Sequence, residues 1–132
     1  MITVYGIPNC DTVKKARAWL AAQDQAYVFY DFKKHGVPAE RLSAWIQAAG
    51  WEKLLNRHGT TWRSLDPAVQ ASVQDACGAQ SLMLANPSLI KRPVVEWPTS
   101  DLAVTGKITV GFEPLNWAKS LPSSKVGAFL TR

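Results

Sequence analysis

Ile2-Thr3-Val4-Tyr5-Gly6-Ile7-Pro8-Asn9-Cys10-Asp11-Thr12-Val13-Lys14-Lys15-Ala16 is the stretch on which the reading of this chain turns. Residues 2–5 alternate and are β-rich, so a strand begins at once. Gly6-Ile7-Pro8-Asn9 is turn chemistry. From Cys10 or Asp11 a helix starts: Val13, Ala16 and Leu20 return at helical spacing, while Lys14, Lys15 and Arg17 can face water. Ala26-Tyr27-Val28-Phe29-Tyr30-Asp31, rich in aromatic and β-branched residues, is predicted as a second strand. A strand, a crossover helix and a strand within about 30 residues form a βαβ unit, and hence a parallel pair.

Beyond Asp31 the pattern changes. Lys33-Lys34-His35-Gly36 reads as a polar linker, and residues 37–90 as several short helical pieces. Pro38 suits a first helical position, and Leu42, Trp45, Ile46 and Ala49 make one apolar face that stops at Gly50. Trp51, Leu54 and Leu55 make a short second piece. Asp66-Pro67 is a cap followed by a helical proline; the helix it opens is expected to run through Val69, Val73 and Ala76 to Gly78, with Cys77 near its end. Ser81 to Ala85 add a turn or two before Asn86-Pro87. Strand character returns at Val94-Val95-Glu96-Trp97. Leu102-Ala103-Val104 and Lys107-Ile108-Thr109-Val110 flank Thr105-Gly106, which reads as a tight hairpin turn. Pro114 to Leu121 supplies a closing helix, and a mobile tail is expected from Pro122. The plan is α/β: one domain over residues 1–132, built as βαβ, a helical insertion at about 36–90, a β-hairpin and a final helix.

The chain has 132 residues, 47% apolar and 19% charged, long enough to bury a core without disulfide or metal staples. No stretch reaches the roughly 18–20 apolar residues of a membrane span. The N-terminus lacks the basic and apolar regions of a secretory signal, so a cytoplasmic location is expected. There Cys10 and Cys77 would rest as thiols. Their spacing suggests no disulfide framework, and His35 and His58 lack ligand spacing, so no metal site is expected. The formal charge of +5 is scattered without a long basic run. That pattern favours anionic small molecules or acidic partner surfaces over direct DNA binding. The six tryptophans are assigned to packing.

Cys10 carries the chemistry. The first N–H groups of a helix lack internal partners and form the positive end of its dipole, so a sulfur placed there is stabilised as thiolate. The Thr12 hydroxyl could donate to the same sulfur, and Lys14 and Lys15 add positive field, while Asp11 opposes it. Cys77 has no strand-to-helix turn before it and reads as a structural or idle thiol. The second element is Lys91-Arg92-Pro93-Val94-Val95: X–Pro bonds are where cis peptides occur, and a proline opening a strand tolerates its missing N–H. Arg92 would then present a fixed fork of donors to an oxyanion or carboxylate.

Together these residues resemble the ArsC/Spx family of thioredoxin-fold proteins, most closely its YffB-like branch. The matching pieces are Tyr5 to Ala16, Asn56-Arg57-His58-Gly59-Thr60-Thr61-Trp62, and Asn86-Pro87-Ser88-Leu89-Ile90-Lys91-Arg92-Pro93-Val94. The resemblance implies a thioredoxin-like sheet with a helical insertion, Cys10 as nucleophile, and Arg92, before a cis Pro93, pointing into the same site. Family arsenate reductases use further arginines around the oxyanion. One lies in the insertion, where Asn56 stands with Arg57 one step away; another lies near the end of the last strand, where this chain has Gly111-Phe112. The redox switch of Spx-type regulators is a pair of cysteines three apart, and here Val13 stands at that distance from Cys10.

The branch resemblance implies a thiol reductase with no bound cofactor and glutathione as co-substrate. Cys10 would form a mixed disulfide that an external thiol resolves. Arg92, with Arg57 or Lys14, would hold an anionic carboxylate or oxyanion. Glutaredoxin or a protein disulfide are the implied partners. Two alternatives stand beside this reading: arsenate reduction at the same site, and a Spx-like regulator that binds RNA polymerase.

Overall fold

The computed structural model describes residues 1–98 and 107–121. Strand β1 (Ile2–Gly6) leads through a turn into helix α1 (Asp11–Ala22) and strand β2 (Tyr27–Asp31). Then follow α2 (Phe32–His35), α3 (Ala39–Ala49), α4 (Trp51–Leu54), α5 (Thr60–Arg63), α6 (Pro67–Ser72), α7 (Ala76–Ala85) and a 3-10 turn at Pro87–Leu89. Strands β3 (Val94–Glu96) and β4 (Ile108–Val110) and helix α8 (Pro114–Ala118) complete it.

The four strands form one sheet in the order β2-β1-β3-β4. β1 runs parallel to β2, with Ile2 opposite Tyr27 and Gly6 opposite Asp31, as a βαβ unit requires. β3 is antiparallel to both neighbours, Val95 lying opposite Val4 and Thr109. This is the mixed, thioredoxin-like sheet expected from the sequence. The proposed hairpin arm Leu102–Val104, its Thr105-Gly106 turn and the tail from Pro122 lie outside the described residues.

Side-chain alternation along β1 sorts the core into two layers. Ile2 and Val4 point to one face, where Ala16 and Leu20 of α1 pack with Val95, Trp97 and Trp117. There the Trp97 indole N–H donates to Thr109 Oγ1 at 2.9 Å, and Trp97 meets Trp117 edge-on with centroids 5.1 Å apart. Tyr5 points to the other face, where Phe32, Leu42, Trp45, Leu54, Met83 and Leu89 pack from the helices between β2 and β3, together with Val110 of β4. Complete burial of a leucine-sized side chain contributes roughly 1.5–3 kcal/mol, so neither layer is dispensable.

One polar cluster ties the helical layer to the sheet. Glu96 accepts from the Tyr5 hydroxyl (2.8 Å), from Arg41 Nε (2.7 Å) and from the Trp45 indole N–H (2.9 Å), and pairs ionically with Arg41. Burial, reinforced by the carboxylate it bonds, pushes the Tyr5 phenol well above its ordinary pKa, so it stays a donor.

Three expectations are corrected. Lys33-Lys34-His35 is not a linker but most of α2, because Asp31 Oδ1 accepts from the Lys33 amide at 2.8 Å and caps a single turn. The helix opened by Asp66-Pro67 ends at Ser72 rather than Gly78. Asp75 then caps α7 by accepting from the Gly78 amide (2.8 Å), so Cys77 stands exposed near the start of a helix instead of near an end. The closing helix stops at Ala118, where the Lys119 and Ser120 amides turn back to Asn116 and Trp117. Among the described residues no helix is long and apolar enough to cross a membrane.

Candidate active site

Cys10 is the N-cap of α1. Its backbone is extended (φ −140°, ψ 122°), and its carbonyl accepts the first intrahelical bond from the Lys14 amide at 2.9 Å. Gly6 sets how closely α1 enters: a Cβ there would lie 2.9 Å from Val13 Cγ2, and Val13 is fully buried. A bare residue at the end of β1 therefore lets the helix start close against the sheet. The sulfur is left half-buried at the surface.

Partial burial pushes the Cys10 thiol up, yet the balance falls the other way and its pKa is lowered. The Val13 amide, the Arg92 guanidinium and the Thr12 amide outweigh the desolvation. None of these closes a strict capping hydrogen bond to the sulfur; the stabilisation is that of positive ends directed at an anion. Thr12 thus acts through its backbone.

Arg92 reaches the site from the segment before β3. The Arg92–Pro93 peptide is cis, Pro93 is buried, and Arg92 Nη1 donates to the Ser88 carbonyl at 3.1 Å. Its Nε is buried without a hydrogen-bond partner among the described residues. The guanidinium, anchored at one nitrogen, lies beside the sulfur, where its charge favours the thiolate.

Cys10, Thr12, Asn56, Lys91, Arg92, Gly111 and Phe112 line a shallow depression. Asn56 arrives there through a short antiparallel junction: its amide donates to the Leu89 carbonyl (2.7 Å), the Lys91 amide donates to Leu54 (2.7 Å), and Leu55 bridges Ile90. Asn56 and Arg57 consequently part company. The Arg57 guanidinium lies over the Trp51 and Trp62 rings, 5.4 and 5.9 Å from their centroids, and does not line the depression. Lys14 is exposed on α1 and is likewise not among the lining residues. The resemblance had already placed Asn56 and Gly111-Phe112 at positions around the oxyanion, without a role for them; Lys91 was given no role at all, and its place directly before Arg92 was the available signal.

Comparison with known proteins agrees with this geometry. The family model described as "ArsC family" matches residues 5–120. An uncharacterized protein of Haemophilus influenzae is 42% identical over 112 residues, covering 85% of this chain and 91% of that protein. The solved structure of YFFB (PA3664) superposes with a TM-score of 0.83 at 44% identity, covering 92% of this chain and all of that one (100%). The global transcriptional regulator Spx of Streptococcus pyogenes is 28% identical over 103 residues, 72% of this chain and 71% of its own. With a sheet, a helix-capping cysteine and a cis-proline arginine arranged as above, the chain belongs to the ArsC family.

Proposed function

We propose that the protein is a glutathione-dependent thiol reductase with Cys10 as its nucleophile. The observation that carries this reading is the Cys10 sulfur at the helix start, half-open to solvent, with its pKa lowered and Arg92 beside it. The Cys10 thiolate attacks one sulfur of a disulfide: a Cys10–S–S bond forms, the substrate S–S bond breaks, and the other half leaves as thiolate. A glutathione thiolate then attacks the mixed disulfide at the Cys10 sulfur, expelling the second half of the substrate as thiolate and leaving Cys10 joined to glutathione. A second glutathione thiolate attacks the glutathione sulfur, so that glutathione disulfide departs and Cys10 is released as thiolate.

Resolution falls to an external thiol because no cysteine shares the turn. Val13, three residues on, is sealed against β1, and Cys77 belongs to another helix. The same fact removes the local switch that the regulator reading would need. Arsenate reduction is less well supported: the arginine positions implied by the resemblance all line the depression, but only one holds an arginine, Arg92, while Asn56 and Gly111-Phe112 stand at the others and Arg57 rests on two indoles.

Intact-protein mass spectrometry after exposure to glutathione disulfide tests the proposal, with wild type, Cys10→Ser and Cys77→Ser compared. A single glutathione adduct that persists in Cys77→Ser, vanishes in Cys10→Ser and is discharged by reduced glutathione is expected. An adduct confined to Cys77 would overturn it.

A further inference from the structure

Gly111 follows β4 with φ +85°, a conformation that side-chain-bearing residues rarely adopt, and its amide donates to the Pro93 carbonyl at 2.9 Å. The side chain of Lys91 lies across this bare backbone. A Cβ on Gly111 would stand 3.4 Å from Lys91 Cε and 4.0 Å from Nζ. Both residues line the Cys10 depression. Among the described residues no carboxylate pairs with the Lys91 ammonium.

Asn56 adds a second donor of defined polarity. Its Oδ1 accepts from the His58 amide at 3.0 Å, which fixes the side-chain amide and leaves Nδ2 as its uncommitted end. Apart from the Cys10 thiol itself, the lining side chains are cationic, donor-bearing or apolar, and none is a carboxylate. Arg92 is engaged with Ser88 and the sulfur, so Lys91 supplies a separate positive charge.

We propose that Lys91, laid across Gly111, is the specificity-determining cation of this site and with Asn56 forms a carboxylate subsite that selects anionic over neutral sulfur substrates. This rests on Cys10 being the reactive thiol and deepens the reductase reading. It assigns the ligand chemistry as a carboxylate borne a few bonds from the reacting sulfur, the arrangement found in a cysteine-containing peptide. Lys91 is not required for bond making; it raises the local concentration and orients the anion.

Alkylation of Cys10 by iodoacetate and by iodoacetamide separates these effects, since both reagents form the same S–C bond with loss of iodide and differ in charge. In a Cys77→Ser background at low salt, Lys91→Gln should slow iodoacetate about three- to fivefold, the size expected for one partly screened charge at close range. Iodoacetamide should change by less than about 1.5-fold, because thiolate supply is governed elsewhere. Lys91→Arg should restore the iodoacetate rate, and Lys107→Gln, beyond the other end of β4, should change neither. An unaltered rate ratio in Lys91→Gln, whether both rates fall together or neither does, overturns the subsite. The same variants are then compared with glutathione disulfide and neutral bis(2-hydroxyethyl) disulfide. Failure of wild type to react with either disulfide while the alkylation ratio still shifts would sink the reductase reading and leave the subsite standing; reaction with both and no shift would do the reverse.

Discussion

The Arg92 guanidinium faces the Cys10 sulfur from the segment that enters β3, anchored to the Ser88 carbonyl. Replacing it with methionine keeps much of the stem and removes the charge. Arg92→Met should raise the Cys10 pKa and slow its alkylation at neutral pH about fivefold, from loss of one nearby charge. The pH dependence of iodoacetamide alkylation in the Cys77→Ser background measures both. Coincident profiles for the two proteins would remove Arg92 from the site.

Because the folded protein holds the Cys10 thiol below its unfolded pKa, ionisation favours the folded state. Its contribution is fully present above the unfolded thiol pKa and is lost as pH falls through the folded value. Urea unfolding of Cys77→Ser against Cys77→Ser/Cys10→Ser should therefore show a stability advantage for the cysteine that is larger at pH 9 than at pH 6. A difference independent of pH would mean that the thiol is not stabilised as an anion.

Glu96 collects Tyr5, Arg41 and Trp45, and its loss leaves those donors facing one another without an acceptor. Glu96→Ala should destabilise the protein by about 2–3 kcal/mol, dominated by the unsatisfied buried groups. Arg41→Met should cost only about 1 kcal/mol or less, since 42% of the Arg41 side chain is solvent-exposed. Chemical denaturation of both variants checks the order; equal losses would argue that the ion pair, and not the Tyr5 and Trp45 bonds, holds the cluster.

Gly6→Ala places a methyl group 2.9 Å from Val13 Cγ2, a buried β-branched side chain with little room to turn. Overpacking there should cost about 1–3 kcal/mol and push the start of α1 outward. The accompanying expectation is slower Cys10 alkylation, measured on the folded variant below its unfolding transition. Loss of stability with unchanged alkylation would separate the helix approach from thiol activation.

Much of the frame was legible because it is local. The alternation of residues 2–5, the Gly6-Ile7-Pro8-Asn9 turn and the Val13, Ala16, Leu20 spacing require no distant partner to be recognised. The α6–α7 break was not, because Asp75 wins as a helix cap only once the Gly78 amide turns back to it, and the apolar spacing of Val69, Val73 and Ala76 disguised the gap. Arg57 was a natural choice for a basic residue near the expected position. Its two indole neighbours, and the register of the Leu54–Asn56 junction, assign the depression to Asn56.

What the chain order alone determined is the placement of the candidate thiol: a strand, a turn and a helix in immediate succession put Cys10 where unpaired amides favour its anion, and every part of that device lies within a few residues. What surrounds the sulfur was decided only in three dimensions. Arg92, Asn56 and the Lys91–Gly111 pair come from separate segments, and their meeting depends on β3 and β4 joining β1 in one sheet and on Leu55 bridging Ile90. Such pairings are set by burial and by hydrogen bonding between distant stretches, which leave no spacing in the sequence to read.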